Sequence, residues 1–193
     1  MRNELYPIFL KASQLNILIV GGGKVALEKL TFLLKSSPNA NVLVLSVEFD
    51  KAIIELSKTK TFTQVKAPYS KLALKNKQIV IAATNNKVVN KQIYNDAKAK
   101  NVLINVADTP DLCDFYLGSI VTKGALKMAI STNGTSPTLA KRLRQLFEEI
   151  LPDEIAELTQ NLSTYRRKWK PDFKEKVSHL NRLTKKLINQ KSL

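Results

Sequence analysis

Asn16-Ile-Leu-Ile-Val20-Gly21-Gly22-Gly23-Lys24-Val25-Ala26 decides the fold of this 193-residue chain. Its first five residues form a short continuous apolar run, the sign of a strand buried on both faces as in a parallel sheet. Three glycines follow at once. From Lys24 the apolar period turns helical, with Val25, Ala26, Leu30, Leu33 and Leu34 recurring up to Lys35, and Ser36-Ser37-Pro38 stops the helix. The order strand, glycine turn, helix fits G-x-G-x-x-A. Gly21 permits the tight turn, Gly23 lets the backbone approach a pyrophosphate, and small Ala26 lets helix pack on strand. The anion then rests on free N–H groups at the helix start. A glycine turn that only packs closely would look the same in isolation, so the surrounding elements matter.

Residues 41–46 read as a second buried strand, 62–65 as a weaker third, 78–83 as a fourth and 102–106 as a fifth. Between them 49–56 and 88–99 are helical, the latter with apolar Val88, Val89, Ile93 and Ala97. Alternating strands and helices imply right-handed crossovers and a mostly parallel sheet, an α/β fold of Rossmann type. After Asp108-Thr109-Pro110-Asp111 the grammar changes. Residues 115–121 and 126–131 are strand-like around Thr122-Lys123-Gly124-Ala125, a hairpin rather than a crossover. Ser136-Pro137 then offers an N-cap and an N1 proline to a helix with apolar Leu139, Leu143, Leu146, Phe147 and Ile150, which Pro152 ends. Residues 154–162 are helical, as is the stretch carrying Phe173, Val177, Leu180, Leu183 and Leu187, with a break at Pro171. Three parts result, residues 1–112, 113–150 and 151–193.

The chain is basic, with 31 Lys+Arg against 16 Asp+Glu and a net charge of +15. Residues 1–147 hold 21 Lys+Arg against 9 acids and residues 148–193 hold 10 against 7, so the excess lies mainly with the glycine motif. Lysines such as Lys51, Lys58, Lys87, Lys91 and Lys98 stand singly on helix faces. That suits a solvated surface, and equally an electrostatic funnel for an anionic ligand. No helix-turn-helix, zinc-finger or aromatic RNA-binding pattern accompanies them, and no nucleic-acid partner is expected. No stretch reaches the ~18 consecutive apolar residues of a membrane helix, and Glu4 and Pro7 interrupt the start where a secretory signal would be apolar. A cytoplasmic protein with no membrane partner is expected. One cysteine, Cys113, and one histidine, His179, exclude an internal disulfide and a His- or Cys-rich metal site, so no metal ligands are assigned.

The ribose of NAD wants a carboxylate near the end of the second strand. Glu48 is the nearest, and two readings stand: ribose ligand, or first-turn acid of the next helix. No Arg follows that strand to welcome a 2′-phosphate, although Lys51 is close; NAD is favoured over NADP. Asp108 stands two residues past the fifth strand, at the edge where open α/β sheets place ligands, and can take a proton as hydride leaves the same substrate. It is also ordinary turn chemistry before a proline. Thr132-Asn133-Gly134-Thr135-Ser136 leads into a helix bearing Lys141, Arg142 and Arg144, which suits carboxylates or simply a capped helix with a solvated basic face. His179 reads as a surface residue and Cys113 as a small buried hydrophobe.

Taken together, Leu5-Tyr6-Pro7-Ile8-Phe9-Leu10, the segment from Ile19 to Ala26, Ala82-Ala83-Thr84-Asn85, Asn105-Val106-Ala107-Asp108 and Ile130-Ser131-Thr132-Asn133-Gly134-Thr135-Ser136-Pro137 resemble the precorrin-2 dehydrogenases of siroheme synthesis. The match is collinear over about residues 5–150, and its last two segments are not general Rossmann features. The resemblance implies a homodimer whose N-terminal Rossmann domain is followed by a dimerisation region, here 113–150, and a small helical domain. It implies NAD-dependent oxidation of precorrin-2 to sirohydrochlorin, and in some members insertion of Fe²⁺ as a second substrate, with one aspartate, here Asp108, serving both steps. The NAD contacts would be Gly21, Gly22, Gly23, Lys24 and Val25 with Val47 and Glu48, the Thr84–Asn85 turn lying beside the cofactor. Thr132, Asn133, Gly134, Thr135 and Ser136 would meet the substrate, Thr132 matching a serine that one branch can phosphorylate. Fused siroheme synthases continue into a uroporphyrinogen methyltransferase domain, so methylation is expected from a separate protein. The alternative from a different class is an NAD-sensing regulatory module without turnover.

Overall fold

The computed structural model describes residues 3–168 and 173–184. Pro171 and Leu187 lie outside the described residues, as do the side chains of Phe173, Leu180 and Leu183. Five parallel strands, β1 (Asn16–Val20), β2 (Asn41–Ser46), β3 (Thr63–Lys66), β4 (Ile79–Ala82) and β5 (Leu103–Val106), form one sheet in the order β3-β2-β1-β4-β5. The strands between the edges run as near-continuous apolar sequence because helices cover both faces. Helices α1 (Lys24–Ser36) and α2 (Lys51–Ser57) cover one face. There Leu30, Leu34 and Ile53 close over Ile17, Ile19, Val42 and Val44. Helix α3 (Lys87–Ala99) and the 3-10 helix Lys71–Leu74 cover the other, where Ile93, Ala97 and Leu74 close over Leu18, Val80, Ile104 and Val106. Each such side chain, fully buried, contributes about 1.5–3 kcal/mol.

The elements begin where local chemistry allows. The chain enters α2 at Lys51 rather than at 49 because Asp50 is the N-cap, its Oδ1 accepting from Ala52 N at 2.9 Å. Asn86 caps α3 in the same way, accepting from Val88 N and Val89 N. At the amino edge of the sheet, amides close the strand starts: Asn41 Nδ2 donates to Asn16 Oδ1 at 2.6 Å and Asn16 Nδ2 to Asn76 O at 2.9 Å. These amides bond to one another and to backbone at that edge.

Residues 115–118 are not strand, contrary to the sequence pattern. Cys113 to Phe115 run instead beside β5, with Asp114 N donating to Ile104 O at 2.7 Å and Asn105 Nδ2 to Phe115 O at 2.8 Å. This segment thereby covers part of the β5 edge of the sheet. The hairpin is the shorter pair β6 (Ser119–Lys123) and β7 (Leu126–Ile130), antiparallel, with Ser131 outside it.

Two compact units emerge. The first comprises the described residues through Gly118 together with Ser131–Pro137; the second comprises Ser119–Ile130 and the described residues from Thr138 onward. The second contains the hairpin, α4 (Pro137–Ile150) from its second residue, α5 (Glu154–Lys168) and α6 (Phe173–Thr184). Its hairpin turn packs closely on α5: a Cβ on Gly124, at φ +56°, would stand 2.7 Å from Ala156 Cβ. Lys123 Nζ donates to Leu151 O and, at 2.7 Å, to Asp153 Oδ1. Among the described residues, no helix is long and apolar enough to cross a membrane.

Candidate functional site

The carboxyl edge of the sheet is built around the glycine turn. Gly21 has φ +129°, and a Cβ there would stand 2.3 Å from Ala83 O, so only glycine fits. Gly22 is closely packed on its Cα side. A Cβ at Gly22 would meet Glu48 O at 1.9 Å and Ser46 Oγ at 2.7 Å, while Asp50 N donates to Gly22 O at 2.7 Å. This residue locks the turn to the loop after β2. A Cβ at Gly23, by contrast, would meet nothing within 4 Å, and Ala26 is fully buried beneath. The open side of the turn is therefore Gly23 and the first turn of α1.

That first turn differs from its neighbours. Asp50 and Asn86 cap α2 and α3 with side-chain oxygens, whereas the N-cap of α1 is Gly23, with no side-chain bond, and no acid lies in the first turn. The leading N–H groups of a helix have no intrahelical partner. Three such groups facing the open side of a glycine turn make a site for an anion, here at the end of β1 between β2 and β4, where the strand order reverses. The residues fit the pyrophosphate of a dinucleotide.

Glu48 stands in the bend directly after β2 and is exposed. Of its two readings the helical one fails, because α2 starts at Lys51 with no acid in its first turn. Ser46 Oγ accepts from Glu48 N at 3.4 Å, a loose bond that keeps the bend beside Gly22. Val47 is exposed at the same edge.

Beyond β4, Thr84 and Asn85 pass over a buried amide that the helix pattern did not flag. Asn90 Nδ2 donates to Thr84 O at 3.0 Å, and Thr84 Oγ1 approaches Asn90 Oδ1 at 2.6 Å. The signal was present: Asn90 is a polar residue in the apolar stripe of α3. Asn85 itself is exposed.

Asp108 is exposed and occupies a left-handed backbone conformation, φ +57°, in a turn closed by Thr109 N donating to Val106 O at 3.2 Å. Asp tolerates this conformation at a cost that glycine would avoid. Cys113 supports the turn from below and is not the inert hydrophobe expected. It is half-buried, its Sγ accepting from Val106 N at 3.3 Å and lying 3.3 Å from the carbonyls of Val106 and Thr109. Burial pushes its thiol pKa up and Asp114 adds to this, against the Val106 N–H, so the thiol keeps its proton and donates. Buried Asn105 completes the support. A polar residue inside a buried strand was its signal.

Thr132 to Ser136 form a second polar turn and group with the sheet unit. Asn133 and Gly134 are both left-handed, at φ +54° and +76°, with Thr135 N donating to Thr132 O at 3.0 Å. Thr132 Oγ1 is occupied by Ser136, accepting from its N at 3.2 Å and lying 3.0 Å from its O. Gly134 and Thr135 are exposed, with nothing within 4 Å of the Gly134 Cβ position. Arg142 and Arg144 of α4 are engaged along their own helix, by Gln145 and Glu148. His179 contacts Arg182.

The fold and this edge define a dinucleotide-binding protein of Rossmann class. The chain belongs to the family whose model is described as "Putative NAD(P)-binding", matched over residues 8–119, and residues 123–150 match the model described as "Sirohaem biosynthesis protein central". It is 39% identical over 171 residues to a siroheme synthase of Pseudoalteromonas translucida, covering 89% of this chain and 36% of that one. With a siroheme synthase of Psychrobacter sp. it shares 34% identity over 189 residues, covering 91% and 38%. The chain thus spans little more than a third of the length of these relatives. The solved structure of SirC, precorrin-2 dehydrogenase, superimposes with a TM-score of 0.75 at 23% identity, covering 93% of this chain and 89% of that chain, a likeness of fold.

Proposed function

We propose that this protein oxidises precorrin-2 to sirohydrochlorin with NAD⁺ in siroheme synthesis. The observation carrying this reading is the carboxylate of Asp108, exposed in a left-handed turn just past β5. Its strand lies beside β4, whose carboxyl end abuts the glycine turn. The siroheme synthase relatives and the matched central region supply the substrate class.

Gly23, Lys24 and Val25 offer the pyrophosphate their N–H groups, with Gly21 and Gly22 shaping the turn. Glu48 accepts from the ribose hydroxyls; its charge disfavours a 2′-phosphate, which selects NAD over NADP despite Lys51 nearby. Val47, Thr84 and Asn85 border the adenosine and nicotinamide ends. When bound, NAD⁺ supplies the hydride acceptor. Oxidation removes a hydride and a proton from the macrocycle, and Asp108 takes the proton at its carboxylate. Asn133, Gly134, Thr135 and Ser136, with Thr132 bracing them, present backbone N–H groups to substrate carboxylates. Iron insertion is the second activity of this reading. Fe²⁺ enters as a substrate met by Asp108 and the macrocycle nitrogens, displacing the two N–H protons of sirohydrochlorin to Asp108 and solvent.

The working form is a homodimer with 113–150 as its dimerisation region, and methylation upstream comes from a separate uroporphyrinogen methyltransferase. The dimer is supported by α4, which leaves Leu146 and Ile150 exposed on its apolar face, and by a lone two-stranded hairpin, marginal by itself.

The test is anaerobic: precorrin-2 generated in situ, purified protein and NAD⁺, followed by the absorbance of sirohydrochlorin. Chromophore that forms only with protein and NAD⁺ together supports the reading. NAD binding without chromophore overturns it in favour of a regulatory NAD sensor. Sirohydrochlorin mixed with Fe²⁺ then reads the second activity, and a rate equal to the protein-free control removes it.

A further inference from the structure

The two faces of the sheet carry very different charge. Residues 24–60, which supply α1 and α2, contain six lysines and four acids; residues 66–100, which supply the 3-10 helix Lys71–Leu74 and α3, contain eight lysines and one acid. That acid, Asp96, is already answered. Tyr69 donates its phenolic proton to Asp96 Oδ2 at 3.1 Å, and Lys71 Nζ lies 3.7 Å from Oδ1. Burial and Asp96 both keep the phenol protonated, well above its ordinary range.

At the ligand end of this face α3 opens on Lys87, two residues after Asn85, with no acid in its first turn. A cation there opposes the positive end of the helix dipole, so local helix stability does not explain it. Next to it Val88 is 78% exposed. Lys87, Val88, Lys91, Gln92, Asn95 and Asp96 lie along one outward side of α3, which starts at the sheet's carboxyl edge. Ammonium and carboxamide groups flank the exposed Val88 along this side. Lys91 Nζ stands 4.6 Å from the centre of the Tyr94 ring, a cation–π contact on the same helix. Cationic and amide groups in a row suit a ligand whose periphery carries carboxylates.

We propose that this lysine-bearing side of α3 is a collecting surface for the polycarboxylated tetrapyrrole, drawn in by Lys87 and Lys91 towards the edge where Asp108 stands. This rests on the function proposed above and adds to it the route of the substrate. Charge of this kind raises capture rate and fades with salt.

The experiment compares K87E/K91E with K35E/K60E, an equal charge change made on exposed lysines of the other face. In K87E/K91E, kcat/KM for precorrin-2 falls about 10-fold at low ionic strength, within the range that steering supplies. The loss falls on KM for the tetrapyrrole, KM for NAD⁺ holds, and the gap closes in ~0.5 M salt. K35E/K60E changes kcat/KM less than about 2-fold, and K87R/K91R restores it. Equal effects of the two reversals, no effect of K87E/K91E, an equal rise in KM for NAD⁺, or a loss that persists in high salt overturns the collecting surface. Direct titration of sirohydrochlorin fluorescence reads binding without turnover. A wild type that binds sirohydrochlorin through these lysines but oxidises nothing therefore sinks the function and keeps the surface, and one that oxidises precorrin-2 equally well with both reversals does the opposite.

Discussion

In the sheet unit the strands β1 and β4 are buried almost throughout, and two apolar clusters close both faces; in the hairpin unit, among the described residues, only Val121 and Ala140 are buried hydrophobics. The difference is one of layers. A sheet between two sets of helices closes its own core, whereas a two-stranded hairpin with amphipathic helices leaves apolar faces for something else to cover. The lesson is a division of labour. The first unit carries the dinucleotide edge by itself, and under the proposed function the second completes itself with another copy.

The comparison breaks most visibly at Asp108. Asn adopts the left-handed turn as readily as Asp but takes no proton, so Asp108→Asn should slow oxidation by ~10²-fold or more while NAD affinity and thermal stability hold. Full activity in this variant, measured by sirohydrochlorin formation, removes Asp108 as the base.

The next effect belongs to the second unit. Leu146→Asp with Ile150→Asp places two charges on the exposed apolar face of α4. The pair should weaken the proposed dimer by about 100-fold or more in sedimentation velocity, while NAD binding by the first unit survives. An unchanged sedimentation coefficient would mean that α4 is not the contact.

Within the glycine turn two alanines separate packing from binding. Gly22→Ala collides with Glu48 O and should cost roughly 1–3 kcal/mol of stability in denaturant melts. Gly23→Ala meets no protein atom within 4 Å, so its melting curve should stay put. Under the proposed function its methyl would stand where the pyrophosphate approaches, and NAD affinity by calorimetry should fall about 10-fold. Equal NAD affinity in Gly23→Ala would move the anion elsewhere.

The smallest effect is on pH dependence. A hydrogen bond from Lys123, reinforced by its charge, holds the Asp153 carboxyl below its ordinary pKa. A depressed carboxylate contributes stability above its unfolded pKa near ~3.9 and loses it as pH falls through the lower folded value. Asp153→Asn should therefore lower the melting temperature slightly at pH 7, with the difference vanishing once pH falls below the depressed folded pKa, and the shift should stay small because Asp153 is fully exposed. A difference that persists at low pH would place the effect outside this ion pair.

Sequence by itself determined the layers, the parallel sheet and the glycine turn, because strand and helix periods and the steric freedom of glycine are local properties. It located Asp108 at the ligand edge, since two residues past a parallel strand is a position that chain order specifies. Tertiary structure decided what depends on neighbours distant in the chain. Glu48 left the helix because Asp50 took the cap; Gly22 packs closely because the β2 loop returns onto it; Asp114 and Phe115 bond to residues of β5 rather than to the hairpin. Cys113 and Asn105 acquired their places beneath the Asp108 turn in the same way. A hydrogen bond or a steric contact needs both partners in space, and periodicity registers only one of them.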